Sequence, residues 1–140
     1  MMTKPIARQA LPASTIEPGS KHVLVVEDDD MVREHVVQQV ASLGYEVSEA
    51  PDGPAGLAIV RESRNIDLMF TDVVMRGGMS GHDLAKAVEE LRPELPILFT
   101  SGYKESDIVS ADRLNQEFEL LQKPYRRREL AHRLRKMFGD

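Results

Sequence analysis

The chain has 140 residues, the size of one domain that can bury a core without disulfide or metal staples. Its net charge of −5, with 23 acidic against 18 basic residues, excludes the basic surface that phosphate backbones require, so no nucleic-acid contact is expected. There is no cysteine for disulfide or thiolate chemistry, no apolar run long enough to span a membrane and no apolar core of a secretory signal near the start. A cytoplasmic location is therefore the expectation.

Residues 1–21 carry Pro5, Pro12 and Pro18 among small polar residues with no sustained period, which reads as a mobile tail or linker ahead of a folded domain over 22–140. Val23-Leu24-Val25-Val26 is a continuous apolar run that stops at Glu27-Asp28-Asp29-Asp30, as a strand buried on both faces does. Val32, Val36, Val37, Val40 and Leu43 then recur at helical spacing, with Asp29 or Asp30 as cap and Gly44 as stop. A weaker strand at Tyr45 to Ala50 turns at Pro51-Asp52-Gly53 into a helix ending near Glu62, with Leu57 and Val60 facing inward.

Leu68 to Thr71 is a third strand, running straight into Asp72, and the glycine-rich segment Arg76 to Gly81 turns the chain as soon as that acid is placed. A helix from Gly81 to about Arg92 directs Leu84, Ala85, Val88 and Leu91 inward, and Pro93 and Pro96 bracket the way to a strand at Ile97 to Thr100. Ser106 to about Leu114 reads as a short, poorly patterned helix. Phe118 to Gln122 reads as a fifth strand ended by Lys123-Pro124, and Arg127 to Phe138 as a last helix with Leu130, Leu134 and Met137 on one face.

Five strands alternating with five helices define an α/β fold, a parallel sheet wound with helices on both sides by right-handed crossovers. Ligands of such sheets bind beyond the carboxyl ends of the strands, where the winding reverses. Those ends carry Glu27 and Asp28, Asp72, Ser101 and Lys123. Three carboxylates in one crevice repel each other unless a cation joins them, and a hard ion with oxygen ligands such as Mg²⁺ suits the set. The candidate metal ligands are Asp28, Asp72 and the main-chain carbonyl of Val74, with Glu27 acting through water. Lys123 and the Ser101 hydroxyl would serve the oxygens of a phosphoryl group carried by Asp72, the nucleophile.

Other polar residues have plainer readings. Asp29 and Asp30 suit a helix cap and solvated charge; Arg126-Arg127-Arg128 suits a solvated helix start; His22, His35, His82 and His132 lack ligand spacing. Asp67 lies roughly 16 Å from Asp72 at about 3.3 Å per residue, at the wrong end of the sheet, and reads as structural or solvated.

From His22 onward these residues together resemble the receiver domain of two-component response regulators. Val23 to Asp28 is similar to that family's acidic pair, Thr71 to Met75 to its phosphoacceptor strand, Phe99 to Gly102 to the strand bearing its switch hydroxyl, and Lys123-Pro124 to its lysine and following peptide, typically cis. The tract Met75 to Gly81, with Phe99 to Tyr103, is most similar to receivers that stand alone or are attached to sensor histidine kinases. The resemblance implies a flavodoxin-like sheet of order 2-1-3-4-5 and Mg²⁺ as cofactor. It also implies two-component phosphorelay signalling, in which a histidine kinase or histidine phosphotransfer protein donates to Asp72 and an unknown downstream protein reads the switched conformation. The chain is then a phosphoacceptor rather than an enzyme, catalysing at most its own phosphorylation and dephosphorylation.

The pattern departs from the family at three places: Glu27 replaces the commoner aspartate, Arg76 stands where proline is typical, and Leu120 stands where many receivers carry Tyr or Phe. Since the chain ends at Asp140, just after the last helix, no effector domain is expected. An alternative is a Mg²⁺-dependent phosphohydrolase with an aspartyl-phosphate intermediate, but such enzymes usually carry a second acid two residues after the nucleophile, and Val74 occupies that position. A nucleotide cradle is disfavoured by the four acids that follow the first strand, where glycines would be needed.

Overall fold

A computed structural model describes residues 20–75, 78–102 and 119–139. The described elements are β1 (His22–Val26), α1 (Asp30–Ser42), β2 (Glu46–Ala50), α2 (Gly53–Glu62), β3 (Leu68–Asp72), α3 (Gly81–Leu91), β4 (Ile97–Ser101), β5 (Glu119–Gln122) and α4 (Arg127–Met137). The helix expected over 106–114 lies outside the described residues, as do Arg76, Gly77 and the tail up to residue 19.

All five strands pair in parallel, in the order β2-β1-β3-β4-β5. Continuous apolar runs in β1, β3 and β4 are buried on both faces because helices cover both sides of the sheet. The pleat divides their side chains. Leu24, Val26, Met69, Ile97 and Phe99 pack with Val60 of α2 and Leu84, Ala85 and Val88 of α3. Val23, Val25, Leu68, Phe70 and Leu98 pack with Val36 and Val40 of α1 and Leu130 and Leu134 of α4 on the opposite face.

Two residues expected to face inward do not. Leu91 is the last residue of α3 and is 44 % exposed; the following turn supplies Leu95 to the core instead. Val32, in the first turn of α1, is 37 % exposed, so the buried stripe of that helix begins only at Val36. The helix boundaries follow local chemistry. Asp29 caps α1 by accepting from the Val32 N–H at 3.0 Å, and Gly44 ends it at φ 99°, where a β-carbon would be strained. Asp52 caps α2 in the same way through the Ala55 N–H, at 2.8 Å.

Asp67 is structural. Its carboxylate accepts from the His22 N–H at 2.8 Å and its own N–H donates to the His22 carbonyl, clamping the amino-terminal ends of β1 and β3. Arg127, expected as solvated charge, reaches back 85 residues to the end of α1, where it donates to the Ser42 hydroxyl and carbonyl at 2.8 and 3.1 Å. Lys123-Pro124 is a cis peptide, as the family resemblance implied.

Candidate functional site

The sheet order places the reversal of winding between β1 and β3. Val26 is level with Thr71, and Asp72 is level with Thr100, so the residue after β1 and the last residue of β3 fall in one row. Ser101 is level with Gln122, and the Lys123 N–H donates to the Ser101 carbonyl at 2.8 Å. Parallel register therefore brings Glu27, Asp28, Asp72, Ser101 and Lys123, drawn from four segments, to one edge of the sheet. Asp72 belongs to the strand itself, one residue beyond the expected end at Thr71, and is thereby fixed by the ladder to β4.

Carboxylate oxygens of Glu27, Asp28 and Asp72 lie within 4.8 Å of one another. Glu27 and Asp72 are each only 5 % exposed, and Ser101 is fully buried. Burial pushes the Glu27 carboxyl up to about 7, and the charge of Asp72 adds to the rise, while the Asp29 N–H that donates to Glu27 Oε2 at 3.0 Å opposes it. Lys123 Nζ stands 3.1 Å from Asp72 Oδ2, a contact that spans 51 residues of sequence. The lysine is one-third exposed and the aspartate nearly buried, so the ammonium keeps some water while compensating a desolvated carboxylate. Val74 follows β3 in the loop and is 39 % exposed.

Two further features position Asp72. Ser80 caps α3 by accepting from the Asp83 N–H at 3.0 Å, and Asp83 accepts in turn from the Ser80 N–H at 3.2 Å. The next residue, Gly81, donates its N–H to the Val73 carbonyl at 2.7 Å and lies so close to β3 that a β-carbon would collide with the Asp72 carbonyl oxygen. Only glycine lets the start of α3 sit there. Tyr125, just past the cis peptide, has its ring 6.2 Å from that of Phe70. Burial, with the charges of Asp72 and Glu27, pushes its phenol up to about 12.

Sequence reasoning named neither Gly81 nor Tyr125 as part of the site, nor Arg33, which caps the acidic turn from outside. A glycine at a helix start carries no periodic signal. The only visible sign for Arg33 is its i, i+3 spacing from Asp30, with which it pairs at 2.7 Å.

A doubly wound parallel sheet with acids at its switch point and a lysine paired to one of them is an α/β arrangement whose chemistry suits a cation and a phosphoryl group. Residues 23–135 match the model of the response regulator receiver domain, and the chain belongs to that family. It is 35 % identical over 120 residues to the sensor kinase CckA of Brucella abortus, covering 85 % of this chain but 13 % of that kinase. The response regulator receiver protein CpdR of the same organism is 29 % identical, with 84 % of this chain and 96 % of CpdR covered. Among solved structures, the receiver domain from the hybrid histidine kinase CckA superposes with a TM-score of 0.69 at 31 % identity, over 84 % of this chain and 99 % of that one.

The chain is thus a receiver domain of two-component phosphorelay signalling, a class that takes phosphoryl groups from histidine kinases or phosphotransfer proteins; a phosphohydrolase is not favoured. Among the described residues no helix is long and apolar enough to cross a membrane.

Proposed function

We propose that Asp72 is the phosphoacceptor of this receiver, within a unit running from His22 to the end of the chain, and that a histidine kinase or histidine phosphotransfer protein is the donor. The observation that carries the reading is the 3.1 Å ion pair between Lys123 and Asp72 beside the gathered carboxylates. An Asp72 oxygen attacks phosphorus, the nitrogen–phosphorus bond of the donor's phosphohistidine breaks, and the imidazole leaves with the bonding electrons. Lys123 moves its ammonium from the carboxylate to a phosphoryl oxygen, and the Ser101 hydroxyl donates to another.

Three acids within one coordination distance, two of them buried, fit a hard divalent ion. Asp28, Asp72 and the Val74 carbonyl would hold Mg²⁺, with Glu27 acting through a water. When bound, Mg²⁺ supplies charge neutralisation for the incoming phosphoryl oxygens. On this reading the chain promotes its own phosphorylation and dephosphorylation without turning over a separate substrate, and it acts in the cytoplasm on a downstream protein.

The test is incubation with acetyl phosphate or phosphoramidate and Mg²⁺, read by intact mass. One added phosphoryl group is expected on the wild-type chain and none on Asp72→Asn. Label on Asp72→Asn would refute the assignment, and sustained release of phosphate from phosphomonoesters would restore the phosphohydrolase.

A further inference from the structure

Arg33 projects from α1 and holds three acceptors at once, in the turn after β1, at the start of its own helix and on β2. Its Nη1 donates to the Glu27 carbonyl at 2.9 Å, its Nη2 to Asp30 Oδ1 at 2.7 Å and its Nε to Glu49 Oε1 on β2 at 3.1 Å. The two carboxylate pairs are exposed on the acid side, at 86 % for Asp30 and 43 % for Glu49, and such pairs contribute little on their own. The bond to Glu27 differs, because it reaches a main-chain carbonyl at the sheet edge from a side chain only 16 % exposed.

That carbonyl belongs to the peptide unit joining Glu27 to Asp28. A peptide is planar, so fixing its oxygen fixes the plane from which both acidic side chains depart. The other side of Glu27 is already held, since its N–H donates to the Ala50 carbonyl at 3.1 Å. Rotation of the Glu27–Asp28 peptide is opposed by the Arg33 bond to its oxygen. A guanidinium suits the task because its donors lie in one rigid plane, whereas an ammonium cannot address three acceptors in that fan.

From this geometry we infer that Arg33 is a positioning residue for the cation site: it orients the peptide between Glu27 and Asp28 so that their carboxylates converge on Asp72. The inference rests on the reading of Glu27, Asp28 and Asp72 as a Mg²⁺ site. It has a sign that separates it from simple electrostatics. Arg33 places a positive charge near the acids, so loss of that charge would by itself tighten binding of a cation. Loss of positioning weakens it.

The experiment is calorimetric titration of the full chain with Mg²⁺ alone, for wild type, Arg33→Gln, Arg33→Lys and, as a control from the opposite end of the sheet, Arg92→Lys. Arg33→Lys keeps the charge and loses the fan of donors, and it also guards against misfolding of the glutamine variant. Both Arg33 variants are expected to weaken Mg²⁺ on the order of tenfold, the usual effect of removing a group that orients a metal ligand, with Arg92→Lys unchanged. Metal-free melting curves and amide spectra are recorded alongside. Tighter binding by Arg33→Gln, or unchanged affinity in folded Arg33→Lys whatever its melting temperature, would overturn the inference while leaving the metal site intact. Failure of the wild-type chain to bind Mg²⁺ would overturn both.

Discussion

Replacing Gly81 by alanine tests how tightly the start of α3 is pressed against the end of β3. Gly81 is the first residue of α3, and its φ lies outside the left-handed region, so helix propensity alone favours the substitution by up to about 1 kcal/mol. The packing says the opposite. The new methyl would collide with the Asp72 carbonyl oxygen and stand 2.9 Å from both the Asp72 carbonyl carbon and the Val73 α-carbon. All three are backbone atoms of a strand and its first loop residue, so no side-chain rotation relieves the clash. Either α3 moves away or the end of β3 does.

Forced repacking of this kind costs about 1–3 kcal/mol. Separation would also weaken the 2.7 Å bond from the Gly81 N–H to the Val73 carbonyl, worth about 0.5–1.5 kcal/mol. Set against the propensity gain, a net loss of about 2 kcal/mol is expected, or roughly 8 °C in melting temperature for a domain of this size. Thermal and urea denaturation of Gly81→Ala measure it, with Gly78→Ala as the control, because a β-carbon there meets nothing within 4 Å. Displaced Asp72 should also accept phosphoryl groups more slowly than wild type at temperatures where both chains are folded. A Gly81→Ala chain at least as stable as wild type would refute the close approach, and normal stability with slowed phosphorylation would refute the link between the clash and the fold.

Other outcomes follow from the same geometry. Mg²⁺ should raise the melting temperature by linkage, since only the folded chain gathers the acids, and the rise should largely vanish in Asp28→Asn; an equal rise would remove Asp28 from the site. Lys123→Ala should slow phosphorylation of Asp72 by at least tenfold with the fold retained, as judged by amide spectra, and an unchanged rate would show that the ion pair is structural only. Burial holds the His22 imidazole below its ordinary 6.5, against the nearby charges of Glu46 and Asp67. The unfolded chain therefore takes up a proton that the folded chain refuses, and this contribution to stability is full above 6.5 and lost as pH falls below it. The stability difference between wild type and His22→Gln should shrink from pH 7.5 to 5.5, and a constant difference would contradict the shift.

What the sequence made legible is what depends on short range and on strand ends. Val23 to Val26, Leu68 to Thr71 and Ile97 to Thr100 announce themselves because a strand covered on both faces has no polar positions to spare. The acids after them are conspicuous for the same reason, and parallel register then leaves little choice about where they meet. Leu91 and Val32 were misread because helical period tells which side a residue is on but not where the sheet beneath it ends. Arg33, Gly81 and Tyr125 were missed as parts of the site for a different reason: their partners are a carbonyl, a backbone approach and an aromatic ring on other elements, and none of these leaves a pattern in the local sequence.

The acidic crevice is held together against its own charge. Three carboxylates within 4.8 Å, two nearly dry, are tolerated because Lys123 compensates Asp72, the Asp29 N–H donates to Glu27, and Glu27 retains a proton more readily than an ordinary carboxylate. None of these devices removes the repulsion; each only limits it. A hard cation would relieve all three acids together, and the relief of their mutual repulsion would appear as affinity for it. On the proposed reading, phosphorylation of Asp72 would add oxygens where the carboxylates already crowd, and Lys123 and Ser101 would be the groups to receive them. The same electrostatic conflict would favour a cation at the site and would make phosphoryl transfer to Asp72 easier with the cation bound, because Lys123 alone offsets only part of the negative charge that an incoming phosphoryl group would meet.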